Sequence, residues 1–162
     1  AVLGQRYDLV YTGVGALNWL PSIDRWAQVV SELLKPGGRL YLREGHPMLQ
    51  ALADTTDGSL RLQYPYFETQ EPMIFDESGT YTGDDATLNN TRTYEWNHGL
   101  GEIIMALLRR GMVLETLDEH DGLEWKMFPH MVLEDGQYKL PAEQRALVPM
   151  MYTLVVRRPI SG

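Results

Sequence analysis

The sequence predicts an α/β fold that is organised around a strand–helix–strand unit near its N-terminal end. A run rich in β-forming residues, Tyr7 to Tyr11, is followed by a helical pattern and then by a second strand, Arg39 to Arg43. Because a helix that crosses between two such strands makes them parallel, we expect them to be parallel neighbours. The apolar residues of the helix recur at three- and four-residue spacing, as a single stripe facing a core: Ile23, Trp26, Val29, Val30, Leu33 and Leu34.

Both ends of this helix carry capping signals. Ser22 is a candidate N-cap, and Asp24 places a negative charge in the first turn, where the helix dipole favours it. The sequence KPGG at 35–38 stops the helix, because proline cannot continue it and glycine readily adopts the left-handed conformation of a helix end.

The chain beyond Arg43 predicts a short helix and then an insertion. Met48 to Ala53 is expected to form a short helix. Residues 54–93 lack strong periodicity and contain Tyr64, Tyr66, Phe67, Phe75 and Tyr81, so we expect an ordered aromatic-rich insertion with short β-pairs. Such an insertion could either cover the mouth of a site or seal its own small core.

A second helix–strand pair and a closing strand follow the insertion. Apolar periodicity predicts a helix over His98 to Arg110, with Asn97 as its cap, and a strand over Met112 to Leu117. Gly122 to Gln137 is expected to be a long surface loop. Met150 to Arg157 is expected to be the last strand.

Composition excludes several classes of protein. The length of 162 residues favours one domain, and the net charge of 14 − 22 = −8 disfavours a nucleic-acid surface. The absence of cysteine excludes disulfides and thiolate metal sites, and the histidine of Glu119-His120-Asp121 has no second histidine at ligand spacing, so no metal site is expected. No membrane-spanning run or signal peptide is visible, so the default location is cytoplasmic.

Three stretches resemble class I S-adenosylmethionine-dependent methyltransferases. The segment from Tyr7 to Pro47, with YDLVY, Asn18-Trp19-Leu20, LLKPGGRLYL and His46-Pro47, looks like the fourth strand, the helix after it and the fifth strand of that family. The stretch TYEWNHGLGEIIMALLRRGMVLETLDEH resembles its fifth helix and sixth strand, and PMMYTLVVRRP resembles its last strand. The resemblance implies a Rossmann-like sheet of parallel strands, with an antiparallel last strand between the fifth and sixth.

The resemblance also implies what the chain lacks. The family's glycine-rich cofactor loop and its acidic strand end would both precede Ala1. We therefore expect residues 1–162 to form a single domain, the C-terminal part of a methyltransferase domain that is inactive by itself. The sequence GVGALN at 13–18 imitates a dinucleotide fingerprint, but no helix opens at Asn18 and the third glycine is missing.

The same resemblance suggests the site residues. S-adenosyl-L-methionine is the implied cofactor, and the loop Thr12, Gly13, Val14 and Gly15 would touch its methionine part. His46 and His98 are the candidate catalytic residues, although His46 could equally be a structural histidine. Four residues are candidates for binding the methyl acceptor: Trp19, Tyr64, Trp96 and Asn97. Trp96 could instead be a buried anchor, and Asn97 could instead be a helix cap.

Methyl transfer to a small-molecule acceptor is thus the predicted function. Methyl transfer depends on the orientation of the two reactants more than on a protein nucleophile. Accordingly, the sequence has no G-x-S-x-G, H-E-x-x-H or P-loop motif. One alternative is a catalytically lapsed interaction module that forms a homodimer through an exposed edge at Tyr7–Tyr11. The other is a different cofactor-binding α/β class, such as part of a dehydrogenase. The KPGG turn and the EWNH segment favour the methyltransferase.

Overall fold

The computed structural model describes residues 4–76 and 90–160. In chain order its elements are β1 (Tyr7–Thr12), a 3₁₀ turn (Leu17–Trp19), α1 (Ile23–Leu33), β2 (Leu34–Gly45), α2 (Pro47–Ala51), β3 (Met73–Asp76), β4 (Arg92–Glu95), α3 (Leu100–Arg109), β5 (Val113–His120), β6 (Gly122–Leu123), β7 (Val132–Glu134), β8 (Gln137–Lys139) and β9 (Met151–Arg157). None of the helices in these two ranges is long and apolar enough to cross a membrane.

The main sheet has four strands in the order β1-β2-β9-β5. The strands β1 and β2 are parallel, with Leu9 opposite Arg39 and Thr12 opposite Leu42, which confirms the predicted crossover. Strand β9 runs antiparallel to both β2 and β5 and lies between them. The predicted α/β fold, with an antiparallel last strand inserted into a parallel arrangement, is therefore confirmed.

Helices α1 and α3 pack against each other and supply the apolar side chains that cover one face of this sheet. The residues of this core are buried to 5% exposure or less, and they come from both helices and from the central strands: Leu17, Ile23, Ala27, Val30, Leu34, Leu40, Leu42, Ile103, Ala106, Leu107, Met112, Tyr152, Leu154 and Val156. Both helices bury the apolar face that the sequence predicts, except that Val29 is 48% exposed and Leu34 belongs to β2.

The start of β2 lies earlier than the sequence predicts. Ser22 caps α1 as expected, with its hydroxyl oxygen 3.4 Å from the N–H of Arg25. The helix ends at Leu33, and Leu34 already pairs with Tyr7, with an irregularity in the register before Leu9. The KPGG segment thus follows the end of the helix and belongs to the irregular first part of β2. Within it, Gly37 has a φ of +82°.

The cap of α3 is not the one predicted. The helix begins at Leu100 rather than His98, and Gly99 is its N-cap. The Glu102 carboxylate accepts the N–H of Gly99 at 2.8 Å. The expectation that Asn97 caps this helix is wrong, because its side-chain oxygen accepts only the N–H of the next residue, His98, outside the helix.

The expected surface loop over Gly122 to Gln137 is also wrong. This stretch contributes to a three-stranded antiparallel sheet in the order β6-β8-β7, and Asp135 and Gly136 turn between β7 and β8 with positive φ angles of 50° and 79°. An Asp-Gly pair is a known hairpin signal, but strands of two or three residues show no alternation to support it. The sheet lies beside a second core: Leu49, Leu52, Leu123, Phe128, Met131, Leu140, Val148, Met150 and Met151.

The described part of the insertion contains the expected short β-pairs. Strands β3 and β4 form an antiparallel pair, and Leu52 forms an isolated bridge with Leu62. Tyr64 packs edge-on against Phe75, with ring centroids 5.5 Å apart. The prediction for Tyr81 falls outside the described residues.

Candidate functional site

The candidate site lies where β1 and β2 end. The loop that follows Thr12 and the segment from Glu44 to His46 leave the carboxyl ends of two parallel neighbours, which is where open α/β sheets bind their ligands. Together with the corner before α3, they enclose a cavity of about 10 Å³, room for a single water molecule. Its lining comes from the 3₁₀ turn, β2, α2, the corner before α3, α3 itself and β9: Leu17, Asn18, Glu44, Gly45, Pro47, Gln50, Asn97, His98, Ile103 and Tyr152.

The carboxylate of Glu44 holds the loop after β1. Glu44 is only 2% exposed, because it continues the inward-facing row of Leu40 and Leu42 on β2. Its Oε1 accepts the N–H of Gly15 at 2.5 Å, and its Oε2 accepts the next N–H along the chain, that of Ala16, at 2.9 Å. The loop is therefore tied to the end of β2 through backbone groups.

Glycines shape this loop at two positions. Gly15 has a φ of +75°, a conformation that costs an ordinary L-residue strain. Gly13 lies over the ring of Tyr11, where a Cβ would meet the nearest ring atom at 3.4 Å. Val14 between them is 42% exposed. The four predicted cofactor-contacting residues, Thr12 to Gly15, thus form an open surface at the edge of the site.

The side chain of His46 is buried beside the site. It caps α2, with Nδ1 accepting the N–H of Met48 at 3.0 Å, so its other nitrogen carries the proton of the neutral ring. That nitrogen, Nε2, lies 2.9 Å from Glu119 Oε1 without the alignment of a hydrogen bond. Burial lowers the pKa of His46, and the nearby Glu119 carboxylate opposes this shift only in part. His46 is therefore held neutral at neutral pH.

His98 joins three segments through its ring. Nε2 donates towards the carbonyl oxygens of Leu20 at 2.9 Å and Leu17 at 3.2 Å. Nδ1 lies 2.8 Å from Glu68 Oε2, and that carboxylate oxygen also accepts the N–H of Ile23 at 2.8 Å. The ring is buried at 3% exposure. His98 thus fixes the 3₁₀ turn, the start of α1 and the insertion relative to one another.

Asn97 and Trp96 complete this corner. The Asn97 amide group donates to the carbonyl oxygens of Pro47 and Pro65, both at 2.9 Å, so it ties the start of α2 to the insertion. The N–H of Trp96 donates to the carbonyl oxygen of Asn18 at 2.8 Å. Its indole nitrogen is buried, and among the described residues it has no hydrogen-bond partner.

The structure gathers some predicted site residues and leaves others apart. Asn97 and His98 line the cavity, and Glu44 links the loop Thr12–Gly15 to it. Trp19 is 48% exposed on the 3₁₀ turn, and the ring of Tyr64 faces Phe75 in the insertion. Neither Trp19 nor Tyr64 lines the cavity.

Sequence reasoning missed Glu44 and Tyr152. The two residues are opposite each other in the β2–β9 ladder, and both are buried. The hydroxyl of Tyr152 finds no partner within 4–76 or 90–160, and burial, with the Glu44 carboxylate nearby, raises the pKa of Tyr152 well above its usual value. The signal for Glu44 was available, since it follows Leu40 and Leu42 on the inward-facing side of β2.

The buried polar groups of the cavity fit a polar ligand at this edge of the sheet. Asn18 Oδ1 and the Tyr152 hydroxyl are buried cavity-lining groups that lack a partner among the described residues. Because the cavity admits one water, a larger ligand would lie outside it. In the described ranges no three potential metal ligands lie close enough to hold an ion.

Solved structures that match this fold include S-adenosylmethionine-dependent methyltransferases. One from Mesorhizobium loti has 17% sequence identity and a TM-score of 0.55, and the match covers 95% of this chain and 62% of that one. One from Methanosarcina mazei has 12% identity and a TM-score of 0.52, over 98% and 63% of the two chains. A third, from Clostridium acetobutylicum, has 10% identity and a TM-score of 0.51, over 96% and 60%.

No family model matches the sequence, and no curated protein does either. The chain spans about three fifths of the length of the methyltransferases that it resembles. At these identities the likeness concerns the fold. The chain therefore has the fold of part of a class I S-adenosylmethionine-dependent methyltransferase domain.

Proposed function

We propose that this chain is the C-terminal portion of an enzyme that transfers a methyl group from S-adenosylmethionine to a small molecule. The observation that carries the proposal is the meeting of the loop Thr12–Gly15, the end of β2 and the corner Trp96–His98 at one edge of the sheet. Bound S-adenosylmethionine would supply a methyl group already activated by its positive sulfur, so the protein chiefly orients and desolvates the reactants.

The residues have separate roles in this proposal. The loop Thr12–Gly15 contacts the methionine part of the cofactor. Trp19, Tyr64, Trp96 and Asn97 belong to the acceptor side, and the aromatic insertion covers it. His46 and His98 are the candidates for proton transfer, and each must release a contact to protein atoms before its ring can receive a proton from an acceptor.

The proposal is tested by changing the backbone of the loop. Gly15→Val should raise the dissociation constant of S-adenosylmethionine about tenfold, because valine is strained at a φ of +75° and the loop must move. Gly136→Val is the matched control, since Gly136 has a φ of +79° in the β7–β8 turn and its Cβ would also enter open space. Equal affinities for the Gly15 variant and the wild type would remove this loop from the cofactor site.

A second candidate function is that of a catalytically lapsed module that dimerises through β1. This strand pairs only with β2 in the four-stranded sheet, and its side chains Leu9 and Tyr11 are 59% and 63% exposed. Such an edge can pair with another chain. The net charge of −8 opposes association weakly, because salt screens charges over ~8 Å.

Sedimentation across a dilution series tests this association. We expect a homodimer for the wild type, and Leu9→Lys should shift it towards the monomer because a lysine on the edge disfavours strand pairing. Leu133→Lys is the control, an equally accessible leucine at 64% exposure on β7. A wild type that stays monomeric at high concentration would refute the dimer. Loss of the dimer in the Leu133 variant alone would place the interface elsewhere.

A further inference from the structure

Three successive backbone N–H groups of the loop after β1 converge on one buried carboxylate. Those of Gly15, Ala16 and Leu17 donate to Glu44 at 2.5, 2.9 and 3.2 Å. The N–H of Gly45 adds a fourth bond at 2.9 Å. Hydrogen bonds to a charged acceptor are roughly twice as strong as those between neutral groups. The loop is thus folded around the carboxylate.

The exposed part of the loop has little else to hold it in this shape, whereas Leu17 at its end is buried in the core and its carbonyl oxygen accepts from His98 Nε2. Gly15 is exposed, an added Cβ there would meet nothing within 4 Å, and Val14 is also exposed. In the described part of the chain, no lysine or arginine forms an ion pair with Glu44. The buried charge is therefore balanced by the backbone N–H dipoles. The Glu44 carboxylate and the loop thus stabilise each other.

We infer that Glu44 is a positioning residue, which fixes the loop from Gly13 to Leu17 in the conformation that receives the cofactor. The first part, the fixing of the loop, depends only on the contacts of Glu44. The second part, the link to the cofactor, rests on the proposed function. Glu44 acts through the loop and need not touch the cofactor itself.

Glutamine has nearly the same shape as glutamate but no charge. Glu44→Gln therefore tests the carboxylate separately from the size of the side chain. Oε1 of Glu44 serves Gly15 and Gly45, whereas Oε2 serves Ala16 and Leu17. A glutamine has one acceptor oxygen, and its NH₂ group would face N–H donors. Glu44→Gln therefore keeps one of these two pairs of bonds and loses the other.

Amide hydrogen exchange tests the first part residue by residue. In the wild type the Gly15 and Ala16 amides should exchange slowly although they lie in a loop, and more slowly than the exposed Val14 amide. Glu44→Gln should accelerate exchange at one of the two pairs about tenfold. Glu124→Gln is the control, since Glu124 is half exposed and pairs with Arg43 instead. Exchange at Gly15 and Ala16 as fast as at Val14 in the wild type would overturn the inference without any variant.

Cofactor affinity tests the second part. With S-adenosylmethionine as the probe, Glu44→Gln should weaken binding about tenfold, while Glu124→Gln leaves the dissociation constant unchanged. Altered exchange with unchanged cofactor affinity would overturn the positioning role. If the wild type shows no binding, the proposed function fails, and amide exchange alone decides whether Glu44 fixes the loop. Should Glu44→Gln not fold, the same two measurements on Glu44→Asp, which keeps the charge but reaches less far, take its place.

Discussion

At the scale of single residues, buried polar groups dominate the candidate site. Glu44, Asn97 and His98 are each at most 3% exposed, and each forms hydrogen bonds with backbone groups of other segments. Buried polar groups need such partners, because an unsatisfied one costs about 1–3 kcal/mol. The site is therefore assembled by side chains that connect loops, and its shape depends on each of them.

The pKa of His46 leads to a prediction about pH. Since burial lowers its folded-state pKa below the ordinary 6.5, protons bind the unfolded chain first as the pH falls. The stability that neutral His46 contributes is full above pH 6.5 and is lost progressively below it, down through the folded-state pKa. Relative to His46→Asn, which keeps an N-cap acceptor for Met48, the wild type should lose unfolding free energy between pH 7 and pH 5.

Urea unfolding at several pH values measures this difference. Other carboxylates titrate in both proteins, so only the gap between wild type and variant reports on His46. A gap that stays constant from pH 7 to pH 5 would show that the His46 ring is not kept neutral by its surroundings.

At the scale of elements, periodicity decided what could be predicted. The stripes of α1 and α3 have enough residues to show a helical repeat, and β9 is a long apolar run. The strands β6, β7 and β8 have two or three residues each, too few for alternation to appear. Their sheet is held by tertiary packing, which local sequence patterns do not contain.

The site was predictable only in part for a similar reason. The strand ends that carry Gly13, Gly15 and His46 could be placed by reading β1 and β2 in order. The role of Asn97 could not, because its partners Pro47 and Pro65 are distant in sequence. An asparagine just before a helix suggests a cap, and here its amide group donates to these two carbonyl oxygens instead.

A core substitution in α3 tests how much this element contributes. Leu107 is fully buried between the helices and the sheet, so Leu107→Ala should cost about 2–5 kcal/mol of unfolding free energy. Met105 on the same helix is 44% exposed, and Met105→Ala should stay within about 0.5 kcal/mol of the wild type. Chemical denaturation measures both. Similar costs for the two variants would contradict the packing of α3 described here.

At the scale of the whole molecule, the strand order joins the fold to the proposed function. The placement of β9 between β2 and β5, together with the parallel pair β1 and β2, brings the loop after β1 beside Glu44 and the corner before α3. The solved methyltransferases that share this fold have longer chains than this one. We therefore expect this chain to bind the cofactor weakly and at a defined place.

A heteronuclear NMR titration of the 162-residue chain with S-adenosylmethionine tests the central claim most directly. Because each backbone amide is observed separately, weak binding still reports its location. We expect concentration-dependent shifts at Gly13, Val14 and Gly15 and at the Trp96–His98 corner, with the β7–β8 turn unchanged. A spectrum that does not respond at millimolar cofactor, or shifts confined to surfaces away from the ends of β1 and β2, would contradict it.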